Sequence, residues 1–248
     1  MKKEKKFSIL LILLALHLSS CKQESVAKDT KVANQENVVA DGVIPTQEIQ
    51  TKLTPDIILQ TLKKRNQDYT ADKLTILNKP ERIKKTASAQ YPLAVVLSCI
   101  DSRVPVEDVF HSGIGDLFVA RVAGAICNED ILGSLEYACK VSGAQVIVVL
   151  GHEHCGAIKS AIQKVELGNI TSLLDKIAPA IAQVESFDGR KSYDNPTYLK
   201  AVNQANIEQT LANIRKNSSI LQEMERKGEI KIVGAEYQME TGKVNFLD

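Results

Sequence analysis

Two short, unbroken runs of apolar residues constrain the fold of this chain more than any other feature of its sequence. Residues 93–97 read LAVVL and residues 146–150 read VIVVL. Short runs that are rich in branched side chains and lack polar alternation are typical of strands buried on both faces. A third run, LFVA at 117–120, follows a Gly-Asp pair. The sequence therefore predicts at least three strands of a central sheet.

Helix signals lie before, between and after these strands. Thr54 precedes Pro55, which predicts a capped helix start, and Asn128 and Gly143 predict the cap and the end of a helix over about 129–142. We also predict helices from about residue 157, over 171–186 and over 197–226, and strands over 230–233 and 244–247 that finish in a hairpin. Strands alternating with helices indicate an α/β fold, with a mostly parallel central sheet flanked by helices.

Soft metal ligands follow two of the predicted strands. Residues 98–103 read SCIDSR and residues 151–156 read GHEHCG. Ligand sites of such sheets lie beyond the carboxyl ends of the strands, so we expect Cys99, His152 and Cys155 to lie close together. Two thiolates and an imidazole suit Zn²⁺, and three protein ligands leave a fourth position open for chemistry. A structural zinc site would normally have four soft ligands, often in paired Cys-x-x-Cys units, and this chain has none.

A carboxylate and a guanidinium stand beside the first of these cysteines. Asp101 and Arg103 are two residues apart, so both point to one side if the backbone stays extended. An arginine keeps a neighbouring carboxylate ionised and fixes its direction. Such a carboxylate near an open metal position accepts a hydrogen bond from metal-bound hydroxide, or occupies the position itself.

Together these motifs resemble those of the β-class carbonic anhydrases. The pattern Cys-x-Asp-x-Arg at 99–103 and His-x-x-Cys at 152–155 carries the resemblance, and GDLFVAR at 115–121 extends it. The resemblance covers roughly residues 54–248. The sequence departs from the family at RVAGA, residues 121–125, where many members have two asparagines after the arginine.

The resemblance implies a fold, a reaction and a set of residue roles. Cys99, His152 and Cys155 would bind zinc, while Asp101 and Arg103 would form a catalytic gating pair. Because His152 has the family's spacing to Cys155, His154 would be a loop residue and not a ligand. The reaction would be the reversible hydration of CO₂ to bicarbonate and a proton by zinc-bound hydroxide, in a homodimer or homotetramer. Two alternatives stay open: a hydrolase of CS₂ or COS on the same zinc site, and a non-catalytic zinc-binding lipoprotein of the cell envelope.

The first twenty residues have the organisation of an export signal. A basic start, KKEKK at 2–6, precedes an apolar run at 7–16 that is too short to span a bilayer. The following LSSC resembles a bacterial lipobox, which predicts a lipoprotein signal peptide over 1–20 and lipid on Cys21. An ordinary leader that happens to contain a cysteine is the alternative. Residues 22–48 have no aromatic residue and no apolar period, so 21–50 would be a lipidated flexible tether and 51–248 the zinc-dependent domain.

This organisation predicts an exported protein, lipid-anchored at the periplasmic face of the envelope, and on the outer membrane if the host has one. The chain has 31 Lys and Arg against 30 Asp and Glu, a formal charge of +1 that gives no reason to expect nucleic acid as a partner. The leader contains four of the lysines and one glutamate, so its removal would make the net charge −2.

The five cysteines divide by expected role. Cys21 would carry lipid, and Cys99 and Cys155 would bind zinc. Cys127 and Cys139 match no metal motif and are expected to be small buried apolar residues. In an oxidising compartment, a disulfide within either of the last two pairs is the alternative.

Overall fold

The computed structural model describes residue 39 and residues 43–73 and 79–247. In this part of the chain five strands form one sheet in the order β2-β1-β3-β4-β5, and the first four are parallel, while β5 pairs antiparallel with β4. The mostly parallel α/β sheet is therefore confirmed. The strands are β1 (Ala94–Ser98), β2 (Leu117–Arg121), β3 (Val146–His152), β4 (Lys231–Tyr237) and β5 (Val244–Phe246).

Helices precede and connect the strands. They are α1 (Gln47–Lys52), α2 (Pro55–Thr70), α3 (Lys79–Thr86), α4 (Val106–Val109), α5 (Glu129–Glu136), α6 (Gly156–Ile162), α7 (Gly168–Leu174), α8 (Ala178–Gln183), α9 (Pro196–Asn217) and α10 (Ser219–Arg226). A 3-10 turn covers Ala123–Ala125 and a π-helical turn covers Tyr137–Val141. Within the described ranges, none of the helices has the length and apolar character that crossing a membrane requires.

Capping residues account for several helix boundaries. The Thr54 hydroxyl accepts a hydrogen bond from the Ile57 N–H, which confirms the predicted start of α2. The single helix expected over 197–226 is divided, because Ser218 adopts an extended conformation and its hydroxyl caps α10. The helix expected over 171–186 is likewise two helices, α7 and α8.

The two faces of the sheet pack against different helices. On one face, Ile58 and Leu62 of α2 join a cluster that includes Val96 and Val148. On the other face, Ile207 of α9 packs in a cluster with apolar residues of β1 and β3. Both central strands are buried along their whole length, as their unbroken apolar sequence predicts. Their carboxyl ends are consequently held in fixed positions.

A buried ionic cluster joins α2 and α3 to the loop before β2. Asp116 is fully buried and accepts hydrogen bonds from Arg82 at 2.6 Å and Arg65 at 3.3 Å. Its carboxylate also accepts the Gly113 N–H at 3.0 Å. We call Arg65 and Arg82 the buried arginine pair. Among the described residues, the carboxylate of Asp116 thus pairs with both guanidinium groups in the interior.

Candidate metal centre

The strand ends bring the three predicted zinc ligands together. Cys99 follows the last residue of β1, and His152 is the last residue of β3, which extends two residues beyond the predicted strand. The register pairs Ser98 with Leu150, so the ends of β1 and β3 are adjacent. Cys155 precedes the first residue of α6 and lies in its N-cap position.

Their ligand atoms form a compact, buried cluster. The Sγ atoms of Cys99 and Cys155 are 4.0 Å apart, and these two atoms and a ring nitrogen of His152 all lie within 4.8 Å of one another. The three residues are at most 5% exposed. The Nδ1–H of His152 donates to the carbonyl oxygen of Glu153 at 2.9 Å, which assigns the ring tautomer and leaves the Nε2 lone pair available. That Nε2 is buried and has no hydrogen-bond partner among the described residues.

The two thiols differ in acidity in the absence of a metal. The pKa of Cys99 is lowered, because its sulfur accepts a hydrogen bond from the Cys155 thiol and a second one from the Gly124 N–H. The pKa of Cys155 is raised, because its thiol is the donor to Cys99 and is also buried. The cluster thus stabilises one thiolate before any cation enters.

Asp101 and Arg103 form the predicted pair beside this cluster. The backbone turns here, with the Val104 N–H donating to the Asp101 carbonyl at 3.1 Å, yet the two side chains still meet. The Oδ1 of Asp101 accepts from the backbone N–H of Arg103 at 3.0 Å and from its Nε at 2.9 Å, and Oδ2 accepts from Nη2 at 2.8 Å. These bonds hold the pKa of Asp101 well below its usual range. Oδ2 also lies 3.8 Å from Nε2 of His152, so the carboxylate faces the cluster.

Arg121 supports the loop that carries these groups. Its Nε donates to the carbonyl of Cys99 at 2.9 Å and its Nη2 to the carbonyl of Asp101. No role of Arg121 was predicted from the sequence. One sequence signal could have indicated this role: Arg121 follows the predicted second strand, at the edge of the sheet where ligand sites lie. The register places it beside Ser98, the last residue of β1.

The remaining predicted residues lie outside the cluster. Cys127 and Cys139 are free thiols, partly and fully buried, and burial raises the pKa of Cys127 to about 11 and that of Cys139 to about 12. Cys99 and Cys155 are also unbridged, so neither alternative disulfide is present. His154 lies in the loop after β3 and is not part of the cluster. Cys21 lies outside the described residues.

The donor set fits a zinc ion. Tetrahedral Zn–S bonds of about 2.3 Å put two thiolates about 3.8 Å apart, close to the observed 4.0 Å. A buried imidazole nitrogen without a partner is costly unless a ligand satisfies it. The three side chains therefore offer the donor set of a three-ligand metal site, and the Asp101 carboxylate lies beside it.

The fold and the site together define a metal-dependent α/β enzyme. The sheet is mostly parallel, and two cysteines and one histidine lie at its strand ends, next to a carboxylate that an arginine holds. The sequence profile of the family described as carbonic anhydrase matches residues 94–244, more than half of the chain. The chain belongs to this family. Its activity is the reversible hydration of CO₂ to bicarbonate and a proton.

Individual relatives agree with this assignment. Carbonic anhydrase 2 of Mycobacterium tuberculosis is 34% identical over 167 residues, which are 65% of this chain and 77% of that protein. The solved β-carbonic anhydrase CcaA has a TM-score of 0.62 at 23% identity, covering 77% of this chain and 95% of its own. A tetrameric β-carbonic anhydrase of Sordaria macrospora has a TM-score of 0.62 at 22% identity, covering 68% of this chain and 86% of its own. The fold is therefore that of the β class, whose members are zinc enzymes.

Proposed function

We propose that Cys99, His152 and Cys155 bind the zinc ion of this carbonic anhydrase and that CO₂ is hydrated at the open side of this site. The observation that carries the proposal is the buried, unpartnered Nε2 of His152, in a cluster with two sulfur atoms 4.0 Å apart. The open side faces Asp101, whose Oδ2 is 3.8 Å from that nitrogen.

Each side chain has a distinct task. Zinc, when bound, lowers the pKa of water toward neutrality and so supplies the nucleophile, as in the carbonic anhydrases with three histidine ligands. The carbonyl of Glu153 holds the His152 ring in the tautomer that presents Nε2. Arg103 keeps Asp101 ionised and directs Oδ2 toward the cluster. There this oxygen would accept a hydrogen bond from the reacting group and so orient that group. If Asp101 turned away from Arg103 and toward the ligands, it would close the site.

Zinc content and activity measured together test this assignment. We expect wild-type protein to bind one zinc per chain and to hydrate CO₂, and Cys155→Ser to lose both. Cys127→Ser is the matched control, because Cys127 is a free thiol outside the cluster, and it should retain both. Full zinc binding by Cys155→Ser would contradict the ligand assignment. Turnover of COS but not CO₂ would point instead to the hydrolase alternative.

We further propose that the enzyme is an envelope lipoprotein, with a signal peptide over 1–20, lipid on Cys21 and a tether that leads to the catalytic domain. The domain begins earlier than the predicted residue 51, because Val39 lies in the core and Gln50 of α1 donates to the carbonyls of Pro92 and Ser142. The proposal rests on the basic start, the short apolar run and the LSSC sequence. Because the Val39 carbonyl already accepts a hydrogen bond from Arg65 in the core, a coil over 22–38 would hold the domain roughly 20–25 Å from the membrane. CO₂ or bicarbonate on the outer side of the inner membrane would then be its substrate.

We also propose that the enzyme is a homodimer or homotetramer. The Sordaria macrospora enzymes of the same fold are tetrameric. In this chain β2 is the outer strand of the sheet, and Tyr137 and Val141 nearby are 53% and 69% exposed. Exposed apolar side chains beside an open strand edge are typical of an interface. Light scattering coupled to gel filtration will give the mass, and a monomer would contradict the proposal.

A further inference from the structure

The 3-10 turn after β2 has an unusual backbone. Gly124 has φ 73° and Ala125, which is 1% exposed, has φ 50°. The left-handed region is unfavourable for a residue with a side chain, so surrounding contacts must hold Ala125 there. Space is also limited, because a Cβ atom on Gly124 would lie 2.9 Å from Cδ1 of Ile177.

Two side chains of α9 hold this turn. Nδ2 of Asn206 donates to the Gly124 carbonyl at 2.8 Å, and Oγ1 of Thr210 donates to the Ala125 carbonyl at 3.4 Å. The two residues are four apart and therefore on one face of the helix, and each is 2% exposed. The turn residues themselves have only apolar side chains or none, so its side-chain hydrogen bonds come from α9.

The 3-10 turn also contacts Cys99, the first cysteine of the cluster. The backbone N–H of Gly124 donates to Sγ of Cys99 at 3.4 Å. The direction of this N–H is determined by the conformation of the turn, which the two α9 side chains stabilise. Two buried side chains of α9 are therefore linked through the backbone of this turn to the sulfur atom of Cys99.

We propose that Asn206, assisted by Thr210, is a positioning residue for the metal ligand Cys99 and acts through the backbone of Gly124. This inference rests on the proposed function, in which Cys99 binds zinc. An N–H donor stabilises negative charge on sulfur, so it decreases the charge that a thiolate donates to a metal and fixes the direction of the sulfur. Partners that orient metal ligands typically change metal affinity about 10- to 100-fold when they are removed.

The test uses the full chain loaded with Co²⁺ in place of zinc, because Co²⁺ bound to thiolate has a sulfur-to-metal charge-transfer band. In Asn206→Ala we expect this band to move to longer wavelength, because a thiolate without the N–H donor donates more charge to the metal. We expect the affinity for Co²⁺ to fall about 10-fold in competition with a chelator, because the direction of the sulfur is no longer fixed. Asn66→Ala is the control, because Asn66 is also a buried helical asparagine that donates to backbone carbonyls, but on α2. It should lose stability and keep both the band and the affinity.

The outcomes separate the inference from the proposed function. A wild-type protein without a charge-transfer band would contradict zinc binding by the cysteines. A wild-type band that is unchanged in Asn206→Ala, with unchanged affinity, would overturn the positioning role alone. If Asn206→Ala does not fold, Thr210→Val decides: it removes one hydroxyl, and we expect a smaller shift in the same direction. An unmoved band in that variant overturns the inference.

Discussion

Replacing Asp101 with asparagine is the sharpest test of how this active site works. The carboxylate accepts three hydrogen bonds from Arg103, at 3.0, 2.9 and 2.8 Å. An asparagine oxygen in place of Oδ1 can keep the first two. The amide nitrogen then replaces Oδ2, so that two donors, this nitrogen and Nη2 of Arg103, oppose each other. The variant therefore loses one charge-assisted bond and the acceptor that faces the cluster.

The size of the effect follows from that lost bond. A hydrogen bond to a charged group contributes about 1.5–3 kcal/mol, which corresponds to roughly 10- to 150-fold in rate if it acts only in the transition state. The Arg103 side chain is 57% exposed, so solvent screening favours the lower part of this range. We expect turnover to fall about 10- to 50-fold. Zinc content should not change, because Asp101 is not one of the three ligands.

Stopped-flow measurement of CO₂ hydration, with zinc quantified in the same samples, tests this reasoning. Asp194→Asn is the matched control. Asp194 also pairs with an arginine, Arg190, at 3.0 Å, but both lie in the exposed loop between α8 and α9 and not at the cluster. Its turnover should equal that of the wild type. If Asp101→Asn keeps full turnover, the carboxylate does not orient the reacting group. If zinc is lost together with activity, Asp101 acts on metal binding instead.

Three further predictions concern stability, thiol chemistry and location. Asp116→Ala should lower the free energy of unfolding by about 3–5 kcal/mol, because it leaves the buried arginine pair without its carboxylate, and urea unfolding should show a midpoint about 1–2 M lower; an unchanged midpoint would contradict this. In zinc-free protein near neutral pH, iodoacetamide should modify Cys99, whose pKa is lowered, before Cys127, whose pKa burial raises to about 11. Added Zn²⁺ should protect Cys99, and equal rates by mass spectrometry would refute the difference in acidity. Cys21→Ala should move the protein from the membrane to the soluble fraction, and a variant that stays with the membrane would exclude lipid anchoring through this residue.

The elements that could be predicted from sequence are those with a local cause. The central strands have unbroken apolar runs, and the ligands follow them within a few residues, so their meeting point follows from parallel topology. The division of the helix expected over 197–226 has a local cause too, but a weak one. Ser218 caps a new helix in the middle of a pattern that remains periodic on both sides, so periodicity alone joins the two helices.

Contacts between distant parts of the chain could not be predicted in this way. Arg121 binds the carbonyl of Cys99 across 22 positions of sequence, and Asn206 reaches the Gly124 carbonyl across 82. Nothing in the local sequence of α9 distinguishes Asn206 from Asn203, which instead donates to Glu236. The difference depends on where the helix lies against the sheet, and that is a property of the packed core.

These distant contacts explain how a loop can present metal ligands accurately. Cys99 and Asp101 belong to a loop, yet the guanidinium of Arg121 holds the carbonyls of both. The Sγ of Cys99 accepts an N–H from a turn that α9 holds, and the His152 ring is held by a neighbouring carbonyl. Because these partners are groups of the folded domain itself, they are in place before the metal binds. Ordering the proposed ligands therefore subtracts little from the free energy of metal binding.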